Sequence, residues 1–273
     1  GQYATSSIHS LSPEVSVHEM GHSFAGLADE YWAGDFYAAE KPNMTQQTNA
    51  SLVKWKDWMN INGIGIYVHG ASGGSANWYK PHQTCKMNFL GFPFCSVCTE
   101  TIVERIHHLT TPINSFSPSN ASTITPSSST TTFSLNLFQP NPNTLGVTWK
   151  LNGNTVGTNA TLVLNSSQLQ SGNNMLIANV KDNTTLSKST THASLHTYQV
   201  SWTLVPAVCD NALILTSPTA DYTVSTTITK KASQTINASN KIIATGSNIT
   251  YQAGKHIELT QGFAANKATV FTA

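Results

Sequence analysis

Apolar and polar residues alternate along much of the chain between residues 112 and 206. Runs such as TTFSLNLF and HTYQVSWTL place an apolar residue at nearly every second position, and Gly and Asn separate the runs. A period of two predicts strands with one buried face, and strands that recur roughly every ten to fifteen residues predict an Ig-like β-sandwich. Asn152 and Gly153 are typical of a hairpin turn, and Trp149 is expected in the core.

Residues 1–111 follow a helical rather than an alternating pattern, and we expect an α+β domain there. The first helix is predicted to begin at Pro13 with Ser12 as its N-cap. The apolar residues expected to face a core from this helix are Val15, Val17 and Phe24. A second helix is predicted in FCSVCTETIVERIHHL, with a buried face formed by Val97, Ile102, Val103 and Ile106.

Residues 207–273 follow a proline-flanked linker and are rich in Ile, Val and Thr at short intervals. Brief alternating segments punctuated by Ala-Gly and Gly-Phe predict stacked rungs of strands, with a small sandwich as the alternative. We therefore expect a multidomain fold with three parts, namely residues 1–111, 112–206 and 207–273.

Composition narrows the class of protein. The chain has 273 residues, of which 39% are hydrophobic, so it can bury two or three cores. Charged residues make up only 10% and the net charge is +1, which indicates neither a nucleic-acid partner nor a charged membrane surface. Abundant Ser, Thr and Asn favour an exported protein. No apolar run of membrane-spanning length and no signal peptide occurs, and a start at Gly1 suggests a processed or partial product.

Three of the four cysteines lie close together in the sequence. Cys85, Cys95 and Cys98 fall within fourteen residues, and Cys209 lies far from them. In an exported protein we expect Cys85 to form a disulfide with Cys95 or Cys98, while Cys209 stays unpaired. The alternatives are reduced thiols or a structural zinc site, for which no fourth ligand occurs nearby at zinc-finger spacing.

The segment VHEMGHSFAGLADEYW carries the strongest chemical signal. His18 and His22 are four residues apart, so in a helix their imidazoles lie on one face and can bind one metal ion. Glu19 lies beside them, where it can polarise a metal-bound water and accept its proton. The alternative is an ordinary amphipathic helix with polar side chains.

A catalytic zinc ion needs a third protein ligand. In the extended zinc-protease pattern, a glycine ends the helix and the third ligand follows it by three residues. Gly26 and Asp29 keep this interval, each one position later than usual, so Asp29 is the favoured ligand. The alternatives are Glu30 and a distant residue such as His82.

A methionine-containing turn is a second marker of this protease pattern. Met87, within PHQTCKMNFLG, is expected to form such a turn beneath the metal, with ordinary core packing as the alternative. The remaining histidines of this region are predicted to be surface or structural residues: His69, His82, His107 and His108.

Four segments in this order, VHEMGHSFAGLADEYW, VKWKDWMNINGIGIY, WYKPHQTCKMNFLG and FCSVCTETIVERI, resemble the IgA-peptidase family of secreted bacterial zinc metallopeptidases. The resemblance covers most of residues 1–110. It implies a metzincin-like catalytic domain that binds Zn²⁺ through His18 and His22, uses Glu19 as base, and has Asp29 at the third-ligand position.

The resemblance has two further implications. A catalytic domain of this kind normally has a twisted sheet before the zinc helix, and only seventeen residues precede His18, so the chain is expected to be the C-terminal portion of a longer enzyme. The segment YQAGKHIELTQGFAANKATVFTA resembles a stacked-β module found at the ends of secreted bacterial proteins.

The expected function is therefore a secreted or cell-surface zinc endopeptidase that hydrolyses peptide bonds in an extracellular protein. Its β modules are expected to contact a cell surface or a glycan. The alternative, from a different class, is a binding or adhesion protein that carries an inactive, truncated metallopeptidase domain.

Overall fold

The structure is a computed structural model, and it describes residues 9–126, 129–206, 212–216, 225–266 and 270–273. It is mostly β, with few helices and several small sheets. The chain divides into two compact units, Gly1–Val205 and Pro206–Ala273. The predicted boundary at 206/207 lies next to this division, whereas the predicted boundary at 111/112 falls inside the first unit. Within the described ranges, no helix is both long and apolar enough to cross a membrane.

The N-terminal part of the first unit contains two main helices and one short antiparallel strand pair. These elements are α1 (Ser12–Ala25), β1 (Tyr67–Val68), β2 (Tyr79–Lys80) and α2 (Ser96–Leu109). Three short 3-10 turns lie at Asp35–Tyr37, Lys56–Trp58 and Gly73–Asn77. Loops connect them around a core that contains Trp55, Trp58, Ile64 and Met87.

Helix α1 forms where predicted, but two details differ. Leu11, not Ser12, occupies the N-cap, and it supplies no side-chain cap. Val17 is 40% exposed, because the buried side of the helix is a different one. The residues that α1 buries are His18, Gly21 and Ala25.

Helix α2 begins directly after Cys95 and buries its first turn most completely. Val97 and Cys98 are buried, and Ile102 packs partly against the same core. Ile106 is 44% exposed, so the predicted buried face does not extend to the last turn. The N-terminal end of α2 is therefore its anchor in the N-terminal core.

Seven strands form two antiparallel sheets in the rest of the first unit. One sheet has the order β3-β4-β7 and the other the order β6-β5-β8-β9. The bounds are β3 (Ile113–Ser117), β4 (Thr130–Leu137), β5 (Leu145–Leu151), β6 (Asn154–Gly157), β7 (Thr161–Asn165), β8 (Asn174–Asp182) and β9 (Thr197–Leu204). A short helix, α3 (His192–Leu195), precedes β9.

The two sheets share one core, as expected for a sandwich. Trp149, Trp202 and Phe133 are almost fully buried, and the rings of Trp149 and Trp202 are stacked with centroids 5.6 Å apart. The hairpin between β5 and β6 turns at Asn152 and Gly153, which both have positive φ, as the Asn-Gly signal predicts.

The second unit is built from parallel strands. Its bounds are β10 (Ala212–Leu215), β11 (Thr227–Ala232), β12 (Thr235–Ala238), β13 (Ile242–Ile243), β14 (Asn248–Ala253), β15 (His256–Leu259), β16 (Ala264–Ala265) and β17 (Val270–Thr272). They form three parallel sheets, β10-β12-β15, β11-β14-β17 and β13-β16. The chain revisits each sheet after roughly 22 residues, which is the arrangement of stacked rungs and not of an antiparallel sandwich.

Helix α2 meets the sandwich through a cluster of histidines and carboxylates. His107 donates from Nε2 to Asp182 (2.8 Å), and its ring stacks on that of His196 with centroids 3.7 Å apart. His196 Nε2 lies 3.0 Å from a Glu104 oxygen, and His192 packs against His196. This histidine junction joins α2 to α3, β8 and β9.

The histidine junction is expected to weaken on acidification. Burial, and next the neighbouring His107, lowers the pKa of His196. Burial opposes ionisation of Glu104 and Asp182, but hydrogen bonds, first those from Ser187 and Thr144, outweigh it and lower both carboxyl pKa values. All three groups bind protons less readily in the folded than in the unfolded chain, so the free energy of unfolding falls as the pH falls. The contribution of His196 is lost first, because an unfolded histidine begins to bind a proton below about pH 6.5.

Thermal unfolding between pH 7.5 and 5.5 tests this expectation. The His196 contribution can reach at most about 1.4 kcal/mol per pH unit, the limit for one proton. The variant His196→Phe keeps a stacked ring but cannot titrate, and its stability should depend less on pH. An unchanged pH dependence in that variant would contradict the assignment to His196.

Gly254 marks a close approach between neighbouring rungs of the second unit. A Cβ atom at this position would lie 2.1 Å from the backbone oxygen of Ser233. Gly254→Ala should therefore destabilise the fold by about 1–3 kcal/mol, as overpacking does elsewhere. Gly91→Ala is the matched control, because a Cβ at Gly91 meets nothing within 4 Å. Equal melting temperatures for the two variants would show that the rungs are not packed as described.

Candidate metal centre and active site

Helix α1 fixes the orientation of both predicted histidine ligands. His18 Nδ1 lies 3.0 Å from the carbonyl oxygen of Lys86, and His22 Nδ1 lies 2.7 Å from that of Leu27. A carbonyl oxygen can only accept, so each Nδ1 carries the proton and donates. Each Nε2 therefore presents a lone pair, which is the form in which imidazole binds a metal.

The end of α1 brings Asp29 back to these nitrogens. Gly26 adopts a left-handed conformation with φ 67°, and its N–H contacts the carbonyl oxygens of Gly21 and His22. Beyond this turn, Asp29 Oδ1 lies 3.1 Å from His18 Nε2 and 3.2 Å from His22 Nε2. Glycine permits this reversal because it accepts positive φ without steric cost.

The three atoms fit a single metal ion. The two Nε2 atoms are 3.1 Å apart, so with Asp29 Oδ1 they form an almost equilateral triangle, called here the His–His–Asp triangle. Two nitrogens that both lack a proton cannot hydrogen-bond to each other. Tetrahedral zinc with bonds of about 2.0–2.1 Å requires ligand atoms about 3.3 Å apart, close to these distances.

Electrostatics in the triangle favour a positive charge at its centre. Burial opposes ionisation of Asp29, but in the absence of a metal ion a protonated His18 or His22 can donate to it from Nε2, and these hydrogen bonds outweigh burial and hold the pKa of this carboxyl well below its usual range. The hydrogen bond to Asp29 in turn raises the pKa of both histidines. Asp29 is thus anionic, as a ligand for a cation must be.

Glu19 lies beside the histidines without being part of the triangle. Its carboxylate and the ring nitrogens of His18 and His22 lie within 4.8 Å of one another, and its side chain is half-buried. A group at this position can reach a water molecule or substrate atom held at the triangle.

Tyr31 is a site residue to which the sequence analysis assigned no role. Its ring stacks on His18 with centroids 6.4 Å apart, and its hydroxyl lies near Asp29. Burial, and next the charge of Asp29, raises the pKa of this phenol, so it stays a proton donor at neutral pH. The sequence offered only its position two residues after Asp29 as a signal.

A cavity of about 360 Å³ opens beside the triangle. Its lining includes His22 and Asp29 together with aromatic residues and one cation: Tyr31, Trp32, Tyr37 and Lys41. This cleft can accept a peptide segment next to the candidate metal ligands.

Neither alternative for the third ligand lies at the triangle. Glu30 turns away from the triangle and is fully buried, where Asn43 Nδ2 donates to its carboxylate (3.0 Å). His82 lies in another loop and accepts from the Thr84 backbone N–H (3.0 Å). Of these three candidates, only Asp29 faces the histidines.

The loop of residues 85–87, called here the Met87 loop, packs against α1 and against the segment that follows Asp29. Met87 is fully buried, and its sulfur approaches so closely that a Cβ at Gly21 would lie 2.7 Å from it. The Met87 carbonyl accepts from the Glu30 N–H (2.7 Å), while the Lys86 carbonyl orients His18. The loop thus contacts both chain segments that supply the triangle.

The expected disulfide is wrong, because Cys85, Cys95 and Cys98 are free and buried. The sulfur atoms of Cys85 and Cys98 are 3.7 Å apart, whereas a disulfide requires about 2.05 Å. The three thiols instead converge on one another. Cys209 lies outside the described residues.

Comparison with known families gives one result that bears on this site. The family model described as IgA Peptidase M64 matches residues 2–66, a range that contains α1, the His–His–Asp triangle and Glu19. Comparisons with curated proteins and with solved structures give no match. Residues 2–66 of the chain are thus similar to the IgA Peptidase M64 family.

Proposed function

We propose that the protein is a zinc-dependent endopeptidase. The His–His–Asp triangle carries this proposal, because its three atoms lie 3.1–3.2 Å apart in the forms that bind a metal. Three protein ligands of nitrogen and carboxylate type are typical of catalytic zinc sites, and His18, His22 and Asp29 would supply such a set. An intact triangle with Glu19 beside it favours an enzyme over an inactive binding protein.

His18, His22 and Asp29 would hold the zinc ion. When bound, zinc supplies Lewis acidity, which polarises a peptide carbonyl and makes water a stronger acid. The carbonyl oxygens of Lys86 and Leu27 keep both imidazoles in the required tautomer. The protein therefore arranges this site before a substrate arrives.

Glu19 and Tyr31 would act on the substrate. The Glu19 carboxylate accepts a proton from the attacking water and later delivers it to the nitrogen of the leaving amine. The Tyr31 hydroxyl, held near Asp29, can donate a hydrogen bond to the oxygen on which negative charge develops. A peptide in the adjoining cleft lies next to both groups.

We further propose a secreted or cell-surface location with an extracellular protein as substrate. The low charged fraction of 10% and the abundance of Ser, Thr and Asn support this location. The sandwich and the stacked rungs would then contact a cell surface or a glycan.

Glu19→Gln is expected to keep the metal and the fold but to lower turnover by roughly two to four orders of magnitude, because a positioned acid-base group is removed. Peptide cleavage by the full-length protein, together with metal content and melting temperature, measures this. Glu14→Gln is the matched control on the same helix, since Glu14 pairs with Lys86 and not with the histidines. Near wild-type cleavage by Glu19→Gln would exclude Glu19 from the mechanism.

Asp29→Ala should weaken metal binding at the histidines by more than about 100-fold, since even the loss of a group that only orients a ligand costs 10–100-fold. Metal titration of the chelator-treated protein measures the affinity, with the exposed Asp57→Ala as control. Because the histidine pKa values are raised, affinity in the wild-type chain should fall as the pH is lowered through that raised range. An unchanged affinity in Asp29→Ala would remove Asp29 from the ligand set.

A further inference from the structure

A second group of ligand-type side chains lies next to the triangle. Cys85, Cys95, Cys98 and Glu30 are all buried, and their sulfur and carboxylate atoms lie within 4.8 Å of one another. Cys98 Sγ is 3.7 Å from Cys85 Sγ and 3.2 Å from Glu30 Oε1. We call these four side chains the thiol–carboxylate cluster.

We propose that the thiol–carboxylate cluster binds a second divalent cation, for which zinc is the best fit, in a closed site without a position for substrate. Tetrahedral zinc with Zn–S bonds of about 2.3 Å sets sulfur atoms about 3.8 Å apart, and sulfur and oxygen ligands about 3.5 Å apart. The observed distances are close to both. Four protein ligands, three of them sulfur, are typical of structural rather than catalytic zinc.

The hydrogen bonding of Glu30 is incomplete without such a cation. Within the part of the chain that the structure describes, the buried Oε2 atom has no hydrogen-bond partner. A buried, unsatisfied carboxylate oxygen is costly, and thiols are only weak donors. A disulfide would join two of the sulfurs but leave the third thiol and Glu30 Oε2 without a strong partner, whereas one cation would bind all four side chains.

The surroundings of Cys85 suit a thiolate, whereas burial raises the pKa of Cys98, so a bound cation would have to offset that cost. The backbone N–H of Cys95 donates to the sulfur of Cys85 (3.3 Å). Cys95 is the N-cap of α2, where the helix dipole favours negative charge, and Cys98 follows at the C-x-x-C spacing common in zinc sites. Backbone donors and a helix N-terminus both stabilise the ionised form.

A buried lysine offsets part of the ligand charge. Three thiolates and one carboxylate around a dication leave a net charge of about −2, which is costly in a core unless it is compensated. Lys80 is buried, and its Nζ donates to the backbone oxygen of Glu30 (2.5 Å). Burial lowers the pKa of Lys80, while the nearby Glu30 and Cys85, when ionised, favour its ammonium form.

The second cation would join α2 to two segments that hold the triangle. It would tie Glu30, the residue after Asp29, to the Met87 loop through Cys85 and to α2 through Cys95 and Cys98. The same loop orients His18 through the Lys86 carbonyl. A cation in the thiol–carboxylate cluster would therefore help to position the residues of the triangle. Whether the cluster binds a cation does not depend on whether the protein is a peptidase.

Metal content and cobalt spectra of the full chain test the proposal. The protein should contain two equivalents of zinc, and substitution with Co²⁺ should produce the near-ultraviolet charge-transfer band of thiolate-bound cobalt. His22→Ala should lose one equivalent and keep the band, whereas Cys98→Ser should lose one equivalent together with the band. Cys209→Ser, a matched control, should retain both equivalents and the band.

The controls separate this proposal from the proposed function. If the triangle binds no metal, the wild-type chain keeps one equivalent and the band. If the cluster binds none, wild-type protein lacks the band, and this result overturns the inference even when Cys98→Ser does not fold. Mass mapping without reductant that finds Cys85 bonded to Cys95 or Cys98 would overturn it as well.

Glu30→Ala should release its second cation to a chelator more than about tenfold faster than wild type.

Discussion

The N-terminal region depends on the contact between α1 and the Met87 loop. Gly21 has no side chain, so the Met87 sulfur can pack directly against the helix. That approach places the Lys86 carbonyl at His18 and the Met87 carbonyl at the Glu30 N–H. A single close packing contact therefore sets the tautomer of one candidate ligand and the path of the segment that supplies another.

Helix α2 connects this arrangement to the sandwich. Its first turn contributes Cys98 to the thiol–carboxylate cluster, and its last turns contribute Glu104 and His107 to the histidine junction. A helix of fourteen residues is roughly 20 Å long, so the two groups lie near opposite ends of one rigid element. Polar groups thus contact the packed structure near both ends of α2.

Local sequence patterns predicted what depends on local geometry. The spacing of His18 and His22 and the left-handed turn at Gly26 act over a few residues, so the pattern indicated the convergence on Asp29. Alternation predicted the sandwich strands, the Asn152–Gly153 hairpin and the burial of Trp149 for the same reason. The parallel rungs of the second unit also follow from repetition along the chain.

Long-range partners could not be predicted in this way. Nothing near Glu30 in the sequence shows that it meets cysteines more than fifty positions later, so the missing fourth ligand made a disulfide the preferred expectation. The exposure of Val17 and Ile106 has a similar origin, because each helix buries only the side that another segment happens to cover. The disulfide prediction and the predicted helix faces differ from the structure for the same reason. In each case tertiary packing selects between partners or helix sides that the local sequence does not distinguish.

Asp29 and Glu30 are consecutive residues that face two different groups of candidate ligands. The segment between Gly26 and Glu30 thus acts as a spacer whose length matters more than its composition. Insertion or deletion of one residue here would rotate both carboxylates out of place at once, although every ligand would still be present in the sequence. A related chain whose spacer differs by one residue would have to place both carboxylates differently. The length of this spacer is therefore a feature by which chains with the same two groups of side chains can be recognised.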